Sequence, residues 1–157
     1  MSDRSLRLLL IERERAALDA ASAFELAERD VTDRSRALDL AVASRQEALQ
    51  ALEAGTRELL DAGTMTARSL EQHASRRASL RERVNLAKVA VAVATRELRF
   101  AEAARDEARR SLADAVERRR VVTDAIEARG VEAQRERASR DDDEADEANA
   151  ARGVRNG

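Results

Sequence analysis

The chain has 157 residues, 38% of them charged, with a formal net charge of −2 and both signs interspersed, so no general attraction to nucleic acid or an anionic membrane is expected. It has no Pro, Cys, Trp or Tyr and only two Phe, which argues against a compact core of large side chains, a disulfide framework or a thiolate metal site. The absence of Pro instead permits very long helices.

The first predicted element is a helix over about residues 4–61, with Ser2 or Asp3 as its N-cap. Its apolar residues recur at alternating steps of four and three, which is the spacing of a coiled coil. These positions, here called the first seam, are Leu6, Leu10, Ala17, Ala20, Phe24, Ala27, Val31, Leu38, Ala41, Ala48, Leu52 and Leu59.

A turn is predicted over residues 62–65, because Gly63 suits the left-handed position that follows a last helical turn. A second helix is predicted from about residue 66, capped by Thr64 or Thr66. Its heptad positions, the second seam, are Leu80, Val84, Ala87, Val91, Ala94, Leu98, Ala101, Ala108, Leu112, Ala115, Val122 and Ile126.

Both seams end at the same level if the chain folds back about Gly63, which places residue i opposite residue 127 − i and Leu6 opposite Val121 and Val122. Alanine at alternate seam positions lets two backbones approach closely. The sequence therefore predicts an all-α fold, a long antiparallel two-helix coiled-coil hairpin over residues 1–126. Six arginines interrupt the seams and are expected to lay their stems along the groove: Arg13, Arg34, Arg45, Arg77, Arg105 and Arg119.

Beyond Ile126 the first helix has no residues left to pair with the second. The second helix is therefore expected to extend past the hairpin, with residues 127–157 as an unpaired charged tail that is helical or disordered. Residues 141–147 hold six carboxylates. They form either a solvated charge run or a segment that becomes ordered on a partner.

The composition offers little for catalysis, so no enzymatic activity, catalytic residue, cofactor or metal is expected. His73 is the sole histidine and has no Cys or second His with which to bind zinc, so it is either a structural residue or a partner contact. There is no glycine-rich phosphate loop, and the aromatic residues that stack on nucleic acid are lacking. No secretory signal or membrane-spanning stretch is predicted, so a cytoplasmic location is expected.

The two ends of the sequence resemble those of a known family. The apolar run at Leu6 gives way to Arg/Glu-rich sequence up to Ala17, and residues 132–155 are acidic and then Ala/Arg-rich. With the length and the longer second helix, these features resemble the stalk protein of the type III secretion and flagellar export ATPase, over the whole chain. The resemblance implies a cytosolic, non-enzymatic protein. It would insert the open end of its hairpin into the hexameric ATPase ring, reach the export gate and bind secretion chaperones.

The resemblance also implies partner-binding residues. In flagellar members the gate contact lies early in the second helix, and the matching residues here are Leu70, His73, Ala74 and Arg77. Charged residues near the termini are expected to make exchangeable contacts with the ATPase ring: Arg4, Arg7, Arg135, Arg137 and Arg140. The choice between a flagellar and a virulence system stays open.

Two other functional interpretations stay open. One is a generic cytoplasmic coiled-coil adaptor or scaffold that binds partners through its exposed faces. The other is a homodimer, in which two hairpins form a four-helix bundle and bury the apolar residues outside the seams. These residues are Leu9, Leu26, Leu40, Leu49, Leu60, Leu86, Val89, Val93, Phe100, Val116 and Val121. An enzyme is the weakest alternative, because a catalytic pair of carboxylates would need a cavity supplied by a partner chain.

Overall fold

The computed structural model describes the backbone of residues 2–155 and the side chains of residues 2–150. This part of the chain forms two helices, α1 (Asp3–Asp61, 59 residues) and α2 (Ala67–Arg155, 89 residues), and it contains no strand. The predicted all-α hairpin of two long helices, with a longer second helix, is confirmed.

The helix starts and the turn use the residues that local sequence preferences predict. The backbone N–H of Ser5 donates to Ser2 Oγ at 3.2 Å, and the N–H of Ser69 donates to Thr66 Oγ1 at 3.2 Å. Each hydroxyl thereby satisfies an N–H group that has no partner within its helix. Gly63 follows α1 with a φ of 64°, a conformation that costs an L-residue about 1 kcal/mol or more.

Burial follows the two seams. Every apolar seam position named above is buried or half-buried. The most deeply buried side chains, none more than 8% exposed, are Leu6, Ala17, Ala48, Val84, Ala101 and Val122. The heptad positions read from the sequence are therefore the positions through which the helices pack.

The chain divides into two compact units. The turn unit is Ser22–Arg109, and the terminal unit contains the residues up to Ala21 and those from Arg110 onward. In the turn unit, Arg34 Nη1 lies 2.8 Å from Glu97 Oε2 and Arg76 Nη1 lies 2.9 Å from Glu58 Oε2. These pairs join the two antiparallel helices. Their exposure to solvent means that they fix alignment more than they add stability.

In the terminal unit, Arg129 Nη1 lies 3.5 Å from Asp3 Oδ1, so the start of α1 runs beside this part of α2. Leu6 lines a hollow there together with Ile126 and Gly130. The prediction that Leu6 faces Val121 and Val122 is therefore wrong by about one helical turn. The connection between the helices continues to Thr66, which moves the fold-back point beyond Gly63.

Three further expectations need correction. Arg34 and Arg119 are exposed, whereas the other four seam arginines are half-buried as predicted. Leu9 and Leu49, expected among the uncovered apolar residues, are half-buried. Pairing extends past Ile126, because Arg129 contacts Asp3 and Ala133 lines the same hollow as Leu6.

The tail is helical as far as Arg155, and the last two residues of the predicted tail lie outside the described residues. Residues 131–150 are all exposed. The described part of the tail therefore continues α2 as a helix. High charge and the strong helix formers Ala, Glu and Arg are compatible with this conformation.

Candidate partner-binding sites

The turn unit contains a hollow formed by the four residues expected at the export-gate contact. Leu70, His73, Ala74 and Arg77 line it, with Leu59 contributed by α1. Its volume is about 300 Å³, and Ala78 and Arg81 complete the lining. We call it the turn-unit hollow.

Helical periodicity explains why these residues meet. Residues 70, 74, 77, 78 and 81 of α2 are separated by steps that return to one side of an α-helix. Leu70 is 51% exposed, whereas His73 and Arg77 are half-buried. The hollow thus has an apolar entrance and polar side chains closer to the helix pair.

The turn-unit hollow and a neighbouring hollow share two arginines. Arg77 and Arg81 also line the second hollow, where Arg57 of α1 joins them. None of these three guanidinium groups forms an ion pair with a carboxylate in the described part of the chain. The Nε atom of Arg77 is buried without a hydrogen-bond partner. The nearby Arg76, by contrast, is paired with Glu58.

Unpaired cations beside exposed apolar side chains are suited to an acidic, amphipathic segment. Arginine binds carboxylates through charge-assisted hydrogen bonds, and apolar side chains anchor one face of such a segment. The sequence interpretation missed Leu59, Arg57 and Arg81. Arg81 could have been found from its spacing of four residues from Arg77, whereas the two α1 residues become neighbours only through the hairpin.

The terminal unit contains a hollow, here called the terminal hollow, which is lined by one of the five arginines expected to contact the ATPase ring. Arg7 lines this hollow with Leu6 and Ile126, and the Arg129–Asp3 ion pair lies at its edge. Arg4 is exposed one turn earlier on α1. The start of α1 therefore presents two cationic side chains, of which Arg7 lines the hollow.

The remaining three arginines lie on the exposed part of α2. Arg137 and Arg140 follow Ala133 at steps of four and three, so they continue the side of the helix that lines the terminal hollow. Arg135 points to the other side of the helix. Arg140 has Glu136 at 3.9 Å, which is a weak exposed pair. The fold thus brings Arg137 and Arg140 together but separates them from Arg135.

Other site types are not found within the described residues. No group of three or more His, Cys, Asp or Glu side chains is placed to hold a metal ion. Neither described helix has an apolar segment long enough to cross a membrane. Comparison with known protein families, curated proteins and solved structures returns no significant match.

Proposed function

We propose that the chain is a non-enzymatic, cytoplasmic coiled-coil component of a type III secretion system, flagellar or virulence-associated. In this role it is the stalk that inserts into the hexameric export ATPase and links it to the export gate and to secretion chaperones. The proposal is motivated by the resemblance of the sequence to that family.

The observation that carries the proposal is the uncovered end of α2. The helix continues for about six turns past Ala133, the last residue that shares a hollow with α1. All the side chains described beyond it are exposed. Most of the stability of a helix in a protein comes from packing one of its faces against another element. A surrounding ring of subunits would supply such packing.

Charge explains how this contact could be exchangeable. Arg137 and Arg140 extend the terminal hollow along one side of α2, and Arg7 lies within the hollow. Exposed arginine–carboxylate pairs are individually weak and are screened by salt. Several weak contacts can therefore be broken and remade as ring subunits change conformation. To bias those conformations, the chain must bind one ring state more tightly than another.

The turn-unit hollow is the proposed contact for the export gate. Its lining includes Leu70, His73, Ala74 and Arg77, and its unpaired arginines favour an acidic partner surface. The two contacts use different units of the chain. One molecule could therefore bind the ATPase and the gate at the same time.

A truncation tests the ATPase contact. A variant that ends at Ala133 keeps the Asp3–Arg129 pair and the terminal hollow, so the hairpin should remain helical. We expect the full chain to co-purify with a type III export ATPase encoded in the same genome, and the truncated variant to lose this binding. Unchanged binding of the truncated variant, or no binding by the full chain, would contradict the proposal.

A charge substitution separates a specific contact from a general effect of the tail. Arg137→Ala with Arg140→Ala should weaken ATPase binding, and the loss should diminish at high salt because the contacts are electrostatic. Arg118→Ala with Arg119→Ala is the matched control, since both side chains are exposed on the same helix and in the same unit. Equal loss in both double variants would rule out a contact specific to Arg137 and Arg140.

A further inference from the structure

The turn unit exposes a second apolar stripe on α2. Leu86, Val89, Val93 and Phe100 are 62%, 60%, 50% and 63% exposed. They are separated by three, four and seven residues, which is heptad spacing. Arg96 occupies the remaining position, with its guanidinium carbon 5.5 Å from the centre of the Phe100 ring. We call these four apolar residues the outer stripe.

The outer stripe lies on the opposite side of α2 from the second seam. Val84 and Ala101, at seam positions on the same stretch of helix, are only 4% and 5% exposed. Residues 86–95 contain one charged side chain, Lys88. A helix that is apolar on both sides is normally covered on both sides. Here α1 covers only the side of α2 that carries the second seam.

One exposed apolar side chain of α1 occupies the corresponding heptad position. Leu40, which is 72% exposed, occupies the same heptad position as Val93 relative to its own seam. In an antiparallel helix pair, these positions of the two helices fall on the same face of the pair. The Arg34–Glu97 and Arg76–Glu58 pairs join the helices along this face. This face of the turn unit thus combines exposed apolar side chains with two ion pairs between the helices.

We propose that the outer stripe is the interface through which two copies of this chain form an antiparallel dimer, independently of the ATPase and gate contacts. The spacing of the stripe favours a second copy over an unrelated helix. Leu86, Val93 and Phe100 are separated by seven residues each. A two-fold axis at Val93 therefore places Val93 on its own copy and Leu86 on Phe100 of the other chain. This is the self-complementarity that a two-fold interface requires.

The apolar side chains supply about half of the area that each partner buries in a stable dimer. The outer stripe and Leu40 together expose on the order of 400 Å² of apolar side chain, as large as the biggest patch on a typical monomer. A stable interface buries about 800 Å² on each partner. Exposed alanines beside the stripe, such as Ala90 and Ala92, would supply further contact and allow the helices to approach closely.

Sedimentation of the full chain tests the dimer. Wild type should sediment at twice the 17.3 kDa of one chain at micromolar concentration. Leu86→Glu should raise the dissociation constant by about 100-fold or more, because both copies lose a buried leucine and gain a carboxylate. Leu18→Glu is the matched control, since Leu18 is 70% exposed in the terminal unit, and its dissociation constant should equal that of wild type.

A monomer at about 100 µM would overturn the proposal, as would a dimer unaffected by Leu86→Glu or weakened equally by Leu18→Glu. Circular dichroism checks that the variants remain helical. Binding of the stripe to a different helical protein, with no self-association, would also refute a dimer.

Single cysteines test the orientation, because the native chain has none. In a glutathione redox buffer, Val93→Cys should form an intermolecular disulfide, since the axis brings residue 93 of the two copies together. Leu86→Cys should not, because the two copies of residue 86 are then about 21 Å apart along the helices. Equal oxidation of both variants would indicate parallel packing, and oxidation of neither would exclude the interface. Either result overturns the proposed geometry.

Discussion

Two adjacent valines in α2 provide a direct test of how the helices pack. Val122 is a seam residue that is 8% exposed, whereas its neighbour Val121 is 59% exposed. Both belong to the terminal unit. Substituting each by alanine makes the same chemical change at two neighbouring positions, one inside the helix–helix contact and one outside it.

The expected magnitudes follow from burial and helix propensity. Removing two buried methyl groups at Val122 costs about 1.6 kcal/mol in transfer free energy, with a further cost if a cavity remains. Alanine has a better helix propensity than valine, which stabilises the helix by up to about 0.7 kcal/mol at either position. Val122→Ala should therefore lower the free energy of unfolding by about 1 kcal/mol. Val121→Ala should raise it by about 0.5 kcal/mol.

Urea unfolding followed by circular dichroism at 222 nm measures both variants, and an unchanged m-value shows that the transitions are comparable. The effect of helix propensity is the same in both variants. The difference of about 1.5 kcal/mol between their free energies of unfolding therefore reports burial alone. If Val121→Ala were as destabilising as Val122→Ala, the assignment of the seam would be refuted.

Two further predictions concern the turn unit. Gly63→Ala should lower the free energy of unfolding by about 1 kcal/mol, and with it the melting temperature, because a φ of 64° disfavours alanine. The added Cβ would meet no atom within 4 Å, so the effect reports backbone conformation alone. An unchanged melting temperature would contradict the observed turn. Leu70→Ala, at a side chain 51% exposed, should leave stability nearly unchanged and weaken pull-down of the export-gate cytoplasmic domain. Leu60→Ala, 77% exposed and outside the hollow, is its control, and equal effects would rule out a specific contact.

Most of the fold could be predicted from the sequence because a coiled coil encodes its packing in local spacing. The heptad positions identified both seams, and Ser2, Thr66 and Gly63 marked the helix starts and the turn. The alignment of the helices was less accurate, since it depends on where the connection reverses. The three residues between Gly63 and Ala67 moved that point by about one turn of helix.

The candidate sites were only partly predictable, because they combine residues from both helices. Spacing along α2 brought Leu70, Ala74 and Arg77 to one side, but the contribution of Leu59 depends on the alignment of α1. The exposure of Arg34 also depends on three-dimensional context. Asp30 and Glu97 bind its guanidinium and raise its pKa, and the residue is exposed.

The most direct test of the central claim uses two engineered cysteines in the turn unit. Arg34→Cys with Glu97→Cys replaces an ion pair whose atoms lie 2.8 Å apart, so a short bis-maleimide should join the two thiols within one chain. Arg34→Cys with Glu82→Cys is the control, because residue 82 lies about 22 Å further along α2 from residue 97. Efficient intramolecular cross-linking of the first pair alone is the predicted result. Equal cross-linking of both pairs, or cross-linking only between chains, would contradict the antiparallel hairpin and the functional proposals that depend on it.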